Sequence, residues 1–191
     1  MAHATDEDLM AQVHAGDMRK LAILFERYHR ALYHFFRRMN ADPYLSEDLV
    51  QEVFFRILRY RRTFEKTRQF VPWMYQIARN TRADYAHRPR ELRMVTEHAE
   101  DEQAVFEPAS PNPGAEEVLE RKQELRFLQE ALDRLPLEKR ELLILSRFQN
   151  LSHQEIARIL DCEAGTVKVR IFRALKALGE IYFELSGEKA S

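Results

Sequence analysis

The sequence predicts an all-α protein of two small helical domains joined by an acidic linker. Three observations predict it. Glycine is scarce, five in 191 residues, whereas sheets with many tight turns and phosphate-cradling loops need more. Apolar residues recur at spacings of three and four in a chain that is 45 % hydrophobic and 32 % charged, the balance that amphipathic helices require. The charge is also partitioned. Residues 1–90 carry 16 Lys/Arg against 11 Asp/Glu (net +5), residues 91–120 carry 1 against 9 (net −8), and residues 121–191 carry 13 against 11 (net +2).

The net charge of −1 therefore conceals two basic modules around an acidic tether. The tether, 91–120, holds Pro108, Pro111, Pro113 and Gly114 and has little apolar periodicity. Such a segment buries too little surface to fold alone. The domains expected are 1–90 and 121–191. A single cysteine excludes an internal disulfide and a cysteine-based zinc site. No apolar run approaches the roughly 20 residues of a membrane span. The acidic N-terminus lacks a signal-peptide core. The expectation is a soluble, cytoplasmic protein with no membrane insertion.

In the first module, Thr5 before Asp6, Glu7 and Asp8 marks a helix start, and Gly16 marks its end. A long helix over 18–39 aligns Leu21, Leu24, Phe25, Tyr28, Leu32, Phe35 and Phe36 on one stripe. A third helix is predicted from Ser46, with Val50, Val53, Phe54, Ile57 and Leu58 inward. Asp48, Glu52, Phe55 and Arg59 face outward. An aromatic beside acids on a polar face is a candidate protein-docking surface, but the pattern alone favours an ordinary solvated face with one stray ring.

Next comes RYRRTFEKTRQFVPW, a basic loop interleaved with Tyr60, Phe64, Phe70 and Trp73. Cations can track phosphates and rings can stack on unpaired bases. The same rings could equally belong to the core, so the motif leaves both readings open. Pro72 suits the first turn of a fourth helix. Its apolar stripe is Met74, Ile77, Ala78, Thr81 and Tyr85. Its outer face of Arg79 and Ala83, flanked by Gln76, Asn80, Arg82 and His87, has no acid at its centre. That face suits tracking a nucleic-acid backbone, with Asn80 able to read a base edge.

The second module predicts helices over 124–135 and 139–148, separated at Pro136. Ser152 and Glu155 then form an S-x-x-E capping box, with Leu151 and Ile156 at the staple positions. A short helix, a turn at Asp161 and Cys162, and a longer basic helix over 163–178 make a helix-turn-helix. The second of these helices sends Val167, Ile171, Ala174, Leu175 and Leu178 inward. Thr166, Val169, Phe172, Arg173 and Lys176 face outward, with Lys168 and Arg170 on the flanks and no carboxylate among them. Arg173 can pair with guanine, Val169 or Phe172 can touch a thymine methyl, and Lys168, Arg170 and Lys176 suit phosphates.

Together these segments resemble the sigma-70 family of sigma factors, in its extracytoplasmic-function (ECF) group, over nearly the whole chain. SEDLVQEVFFRILR is similar to region 2.2, FVPWMYQIARNTRADYAHR to regions 2.3 and 2.4, and LPLEKRELLILSRFQNLSHQEIARILDCEAGTVKVRIFRALKAL to region 4. The resemblance implies a region 2 four-helix domain and a region 4 helix-turn-helix domain. It also implies that Asp48, Gln51, Glu52 and Phe55 meet the β′ clamp helices of core RNA polymerase, and that region 4 meets its β flap. Arg62, Phe64, Trp73, Gln76, Arg79, Asn80 and Ala83 would read or melt the promoter −10 element, with loop 63–69 holding a flipped base. Thr166, Lys168, Val169, Arg170, Phe172, Arg173 and Lys176 would read the −35 element. An anti-sigma factor is the further partner implied. Val169 departs from the family's small polar residue, and His153 from a common aromatic.

No catalytic chemistry is expected. The seven histidines do not cluster, and His29 and His34 are five apart, which does not align two ligands on one helix face. Cys162 is expected to be a turn-position thiol without a chemical role. No cofactor and no metal are implied. Two alternatives remain: a stand-alone LuxR-type helix-turn-helix regulator, and a helical enzyme with an accessory DNA domain. The enzyme would need a convergent acid/base set in residues 1–90, where none is found.

Overall fold

The first helix forms where a hydroxyl meets three acids. In this computed structural model, which describes residues 4–65, 67–88 and 115–187, α1 spans Asp6–His14. Thr5 Oγ1 accepts the Asp8 amide at 3.1 Å, and the Asp8 carboxylate accepts the Thr5 amide at 3.4 Å. Gly16, at φ +109°, turns the chain into α2 (Arg19–Arg38). Leu24, Leu32, Phe35 and Phe36 of the predicted stripe are fully buried. Asp6 ties the two helices, accepting from Arg27 at 2.5 Å and from the Tyr28 hydroxyl.

Helix α3 (Pro43–Tyr60) begins three residues before the predicted Ser46. The Asp42 carboxylate caps it by accepting the Leu45 amide at 2.9 Å, and Pro43 in the first turn has no N–H to satisfy. Ser46 is instead buried inside the helix, donating its hydroxyl to the Asp42 carbonyl at 2.8 Å. A 3-10 turn (Arg61–Thr63) leads to the loop before α4 (Phe70–Ala86). Helix α4 has no cap of its own. Glu7 of α1 supplies one across the domain, accepting the Phe70 amide at 2.9 Å.

In the second domain, α5 (Ala115–Arg134) starts nine residues before the predicted 124. It thus enters the stretch whose composition marks it as tether. Acid-rich sequence is what the positive end of a helix favours. The remainder of the tether, 91–114, lies outside the described residues. The helix predicted over 139–148 is two conformations in sequence. Helix α6 (Leu137–Leu143) widens into a π turn (Ile144–Phe148), where the Gln149 amide reaches back five residues to the Ile144 carbonyl at 3.0 Å. Arg140 is buried and donates to the Asp133 carbonyl, where α5 ends.

Helix α7 (His153–Leu160) carries the predicted capping box. Ser152 Oγ accepts the Glu155 amide at 3.2 Å, and Glu155 accepts the Ser152 amide at 2.8 Å. The turn places Asp161 in the left-handed region at φ +50°, and the Cys162 amide closes on the Ala157 carbonyl at 3.0 Å. Helix α8 (Ala164–Ser186) runs past the predicted 178 and ends at Gly187, φ +73°.

The described residues contain no strand, and no described helix is long and apolar enough to cross a membrane. One buried apolar cluster runs through both domains, because α4 packs on α7 and the π turn packs on α2. Replacing Ser152 by Ala is expected to lower stability by about 1 kcal/mol through loss of the cap. A denaturant titration measures this, and an unchanged midpoint would show that the box does not hold α7.

Candidate nucleic-acid interface

Helix α8 is anchored from below by Val167, Ile171 and Ala174, all buried. That anchoring turns Lys168, Val169, Arg170, Phe172, Arg173 and Lys176 to the outside, with Thr166 half-buried at the rim. Phe172 is 70 % exposed, unusual for an aromatic without a partner surface. No Asp or Glu occurs from 164 to 179. Glu180, the next residue, lies 3.9 Å from the Lys176 ammonium, an exposed pair that contributes little. Leu175, expected inside, is exposed instead. It lines an apolar groove between α5 and α8 with Leu125, Leu128, Leu178, Tyr182 and Phe183.

The second group of expected contacts divides. Arg62, Asn80 and Ala83 are exposed. Phe64 and Trp73 are buried, Trp73 at 5 % exposure, with ring centroids 5.1 Å apart and Phe70 6.3 Å from each. In this conformation neither ring offers a stacking face to solvent. Gln76 and Arg79 are half-buried against the C-terminal domain. Gln76 donates to the Arg158 carbonyl at 2.6 Å. Arg79 donates to Glu141 at 2.8 Å and to the Ile159 carbonyl at 3.1 Å. Glu65, Thr67, Arg68 and Gln69 of the loop before α4 line an open cleft closed on its far side by Arg158, which donates to Gln69.

On α3, Asp48, Gln51, Glu52 and Phe55 form one ridge, as their spacing requires. Asp48, Gln51 and Phe55 are exposed, Phe55 at 59 %. Glu52 accepts from Arg56 at 2.7 Å, and Arg56 donates onward to Asp84 of α4 at 2.6 Å. Burial disfavours the Arg56 charge, but these two carboxylates outweigh it and raise its pKa above the ordinary value.

Two regions of the chain match family models, residues 24–91 the Sigma-70 region 2 model and residues 126–178 the Sigma-70, region 4 model. The ECF RNA polymerase sigma-E factor of Escherichia coli K12 is 32 % identical over 182 residues, covering 91 % of this chain and 92 % of that protein. The chain belongs to the sigma-70 family of sigma factors. The RNA polymerase sigma-H factor of Pseudomonas aeruginosa is 29 % identical over 180 residues, covering 91 % of each chain.

Among solved structures, CnrH in complex with the cytosolic domain of CnrY shares the fold at a TM-score of 0.69 and 23 % identity, over 96 % of this chain and 99 % of that one. RpoE of Bartonella quintana, in complex with the anti-sigma factor NepR, shares it at 0.61 and 23 %, over 84 % and 94 %. Because the likeness spans both modules and the relatives are ECF sigma factors, this chain is an alternative sigma factor, and the LuxR-type reading is not supported.

Sequence reasoning missed Glu141, Gln149 and Arg158, which this sigma factor uses to hold α4. Each acts on a residue more than sixty positions away, and no local spacing encodes such a pairing. Trp73→Ala is expected to destabilise the fold by about 3–5 kcal/mol, the cost of emptying an aromatic core site. A shift of less than about 1 kcal/mol in thermal or denaturant unfolding would assign the ring to binding alone.

Proposed function

We propose that this sigma factor binds core RNA polymerase and directs promoter-specific initiation by reading two DNA elements, without covalent chemistry of its own. The observation that carries this is the outer face of α8, basic, acid-free and exposed at the end of a capped helix-turn-helix. In a major groove it brings Arg173 to base edges, and Lys168, Arg170 and Lys176 to phosphates. Thr166, Val169 and Phe172 complete the −35 set. Helix α4 and its preceding loop serve the −10 element through Arg62, Phe64, Trp73, Gln76, Arg79, Asn80 and Ala83. Phe64 and Trp73, both buried, contribute by packing the core on which this loop and helix rest.

The ridge of Asp48, Gln51, Glu52 and Phe55 docks on the β′ clamp helices, its exposed ring supplying the anchor. The β flap meets the C-terminal domain. An anti-sigma factor is the partner that holds the free chain inactive, and the chain acts in the cytoplasm. Each DNA-reading domain carries a small positive charge, so each alone binds weakly, and the polymerase supplies avidity by holding both at fixed spacing.

The test is reconstitution. The purified chain should co-elute with core polymerase on a sizing column and initiate transcripts from a promoter library. No co-elution and no transcript would end this reading. Glu52→Lys should abolish co-elution while leaving the fold intact by circular dichroism, since it reverses charge on an exposed ridge. Arg173→Ala should cost about 1–3 kcal/mol at a single −35 position and little elsewhere, read by binding of the holoenzyme to promoter variants. A uniform loss across all positions would mark Arg173 as a phosphate contact.

A further inference from the structure

The loop before α4 is exposed at Glu65, Thr67, Arg68 and Gln69, but both of its ends are set in the core. Phe64 enters the core on one side and Phe70 on the other, both buried, with ring centroids 6.3 Å apart. Gln69, at the cap position of α4, makes no side-chain cap. Where the loop stops and the helix starts is therefore decided from outside. Glu7, half-buried on α1, accepts the Phe70 amide at 2.9 Å across 63 positions of sequence. Its carboxylate also faces the positive end of the α4 dipole. The neighbouring Asp6 acts on the ring of the same residue. It accepts the Tyr28 hydroxyl, and the Tyr28 and Phe70 ring centroids are 5.5 Å apart. The first turn of α1 thus holds Phe70 by its amide and, through Tyr28, by its ring. An uncapped helix start frays, and each residue released from α4 lengthens the loop. One extended residue adds about 3.3 Å of chain. That is the order of the spacing between successive bases of one strand, about 3.4 Å.

We propose that Glu7 is a positioning residue for −10 reading: by fixing the Phe70 amide it sets the length of the loop that receives the −10 base and the point at which that loop enters α4. This rests on the reading of the loop as part of the −10 surface. Glu7 itself touches no DNA in this role. It acts through the backbone of Phe70, so a side chain that keeps an acceptor oxygen at the same reach keeps the function, and one that lacks it loses the function.

The experiment assembles holoenzyme from the full chain and measures transcription from promoters varied at each −10 and −35 position. Glu7→Ala should reduce discrimination at the −10 base served by the loop about fivefold, the size of a lost helix cap, and leave −35 discrimination unchanged. Glu7→Gln, which keeps the acceptor oxygen, should retain most of the discrimination. Ser152→Ala removes a cap from α7 and controls for lost stability; it should leave −10 discrimination as it is. If Glu7→Ala folds poorly by circular dichroism, Glu7→Asp, shorter by one methylene, should show a partial loss at the same base. Undiminished discrimination in Glu7→Ala (or in Glu7→Asp, where that variant replaces it) overturns the role. So does a loss spread evenly over −10 and −35 positions, or a Glu7→Gln variant as impaired as Glu7→Ala. Thr67→Ala and Gln69→Ala separate such a failure from failure of the underlying reading. If they alter −10 discrimination while Glu7→Ala does not, Glu7 alone loses its role. If they are silent as well, the loop is not part of the −10 surface, and the role of Glu7 falls with it.

Discussion

Helix α4 is buried around more of its circumference than packing against one core would require. Pro72, Trp73, Met74 and Tyr75 are four consecutive buried residues, and Phe70, Ile77, Ala78 and Thr81 extend the burial along the helix. A 3.6-residue period cannot turn four successive side chains toward a single neighbour. Two neighbours are needed. The α1–α3 bundle takes one side, with Tyr75 against Phe35 of α2 and Phe70 capped by Glu7 of α1. Helix α7 and the π turn take the other. Burial raises the pKa of the Tyr75 phenol, so its hydroxyl remains a neutral donor to Gln149 across the junction. The helices packed directly on α4 divide between its two sides, α1 and α3 on one and α7 on the other.

That constraint also connects the proposed polymerase ridge to the DNA-facing helix. Glu52 holds Arg56, and Arg56 holds Asp84, so a line of charge-assisted bonds crosses from the outer side of α3 to the far end of α4. Arg56 is the shielded member, while both carboxylates are more exposed. Such bonds contribute little to stability where solvent screens them. Their orientation nevertheless means that a partner cation drawing on Glu52 competes with the arginine that holds Asp84.

Much of this was legible locally. Thr5 with three acids, the Ser152–Glu155 box and the stripe of α2 each place an element within a residue or two, and the stripe of α8 places its start but not its end, because caps and 3.6-residue periodicity are short-range signals. The misplaced boundaries have equally local causes. Asp42–Pro43 is a start signal stronger than the acids after Ser46, and the acid-rich run before 124 reads as tether when it belongs in part to α5. The composition of the basic loop left Trp73 and Phe64 evenly divided between core and base-stacking. Burial decides where the rings sit, and only the surrounding aromatics reveal it. What lay beyond the sequence was the junction itself. Arg79 meets Glu141 through two domains whose separate patterns carry no register between them.

The π turn at Ile144–Phe148 makes chain length matter where residue identity does not. It accommodates one more residue than an α-helical turn would, and the surplus rotates everything after it by about 100° relative to a continuous α-helix. That rotation brings Gln149 over Tyr75 and sets Phe148 under the Arg38 guanidinium, 4.4 Å from the ring centre. Many side chains could occupy the exposed positions of this segment. A single-residue deletion there would have to be taken up within residues 149–152, because Ile144 and Leu145 are fixed in the core on one side and the capped α7 begins at His153 on the other. The segment therefore acts as a spacer of fixed count, setting the angle at which the helix-turn-helix leaves the body of the protein.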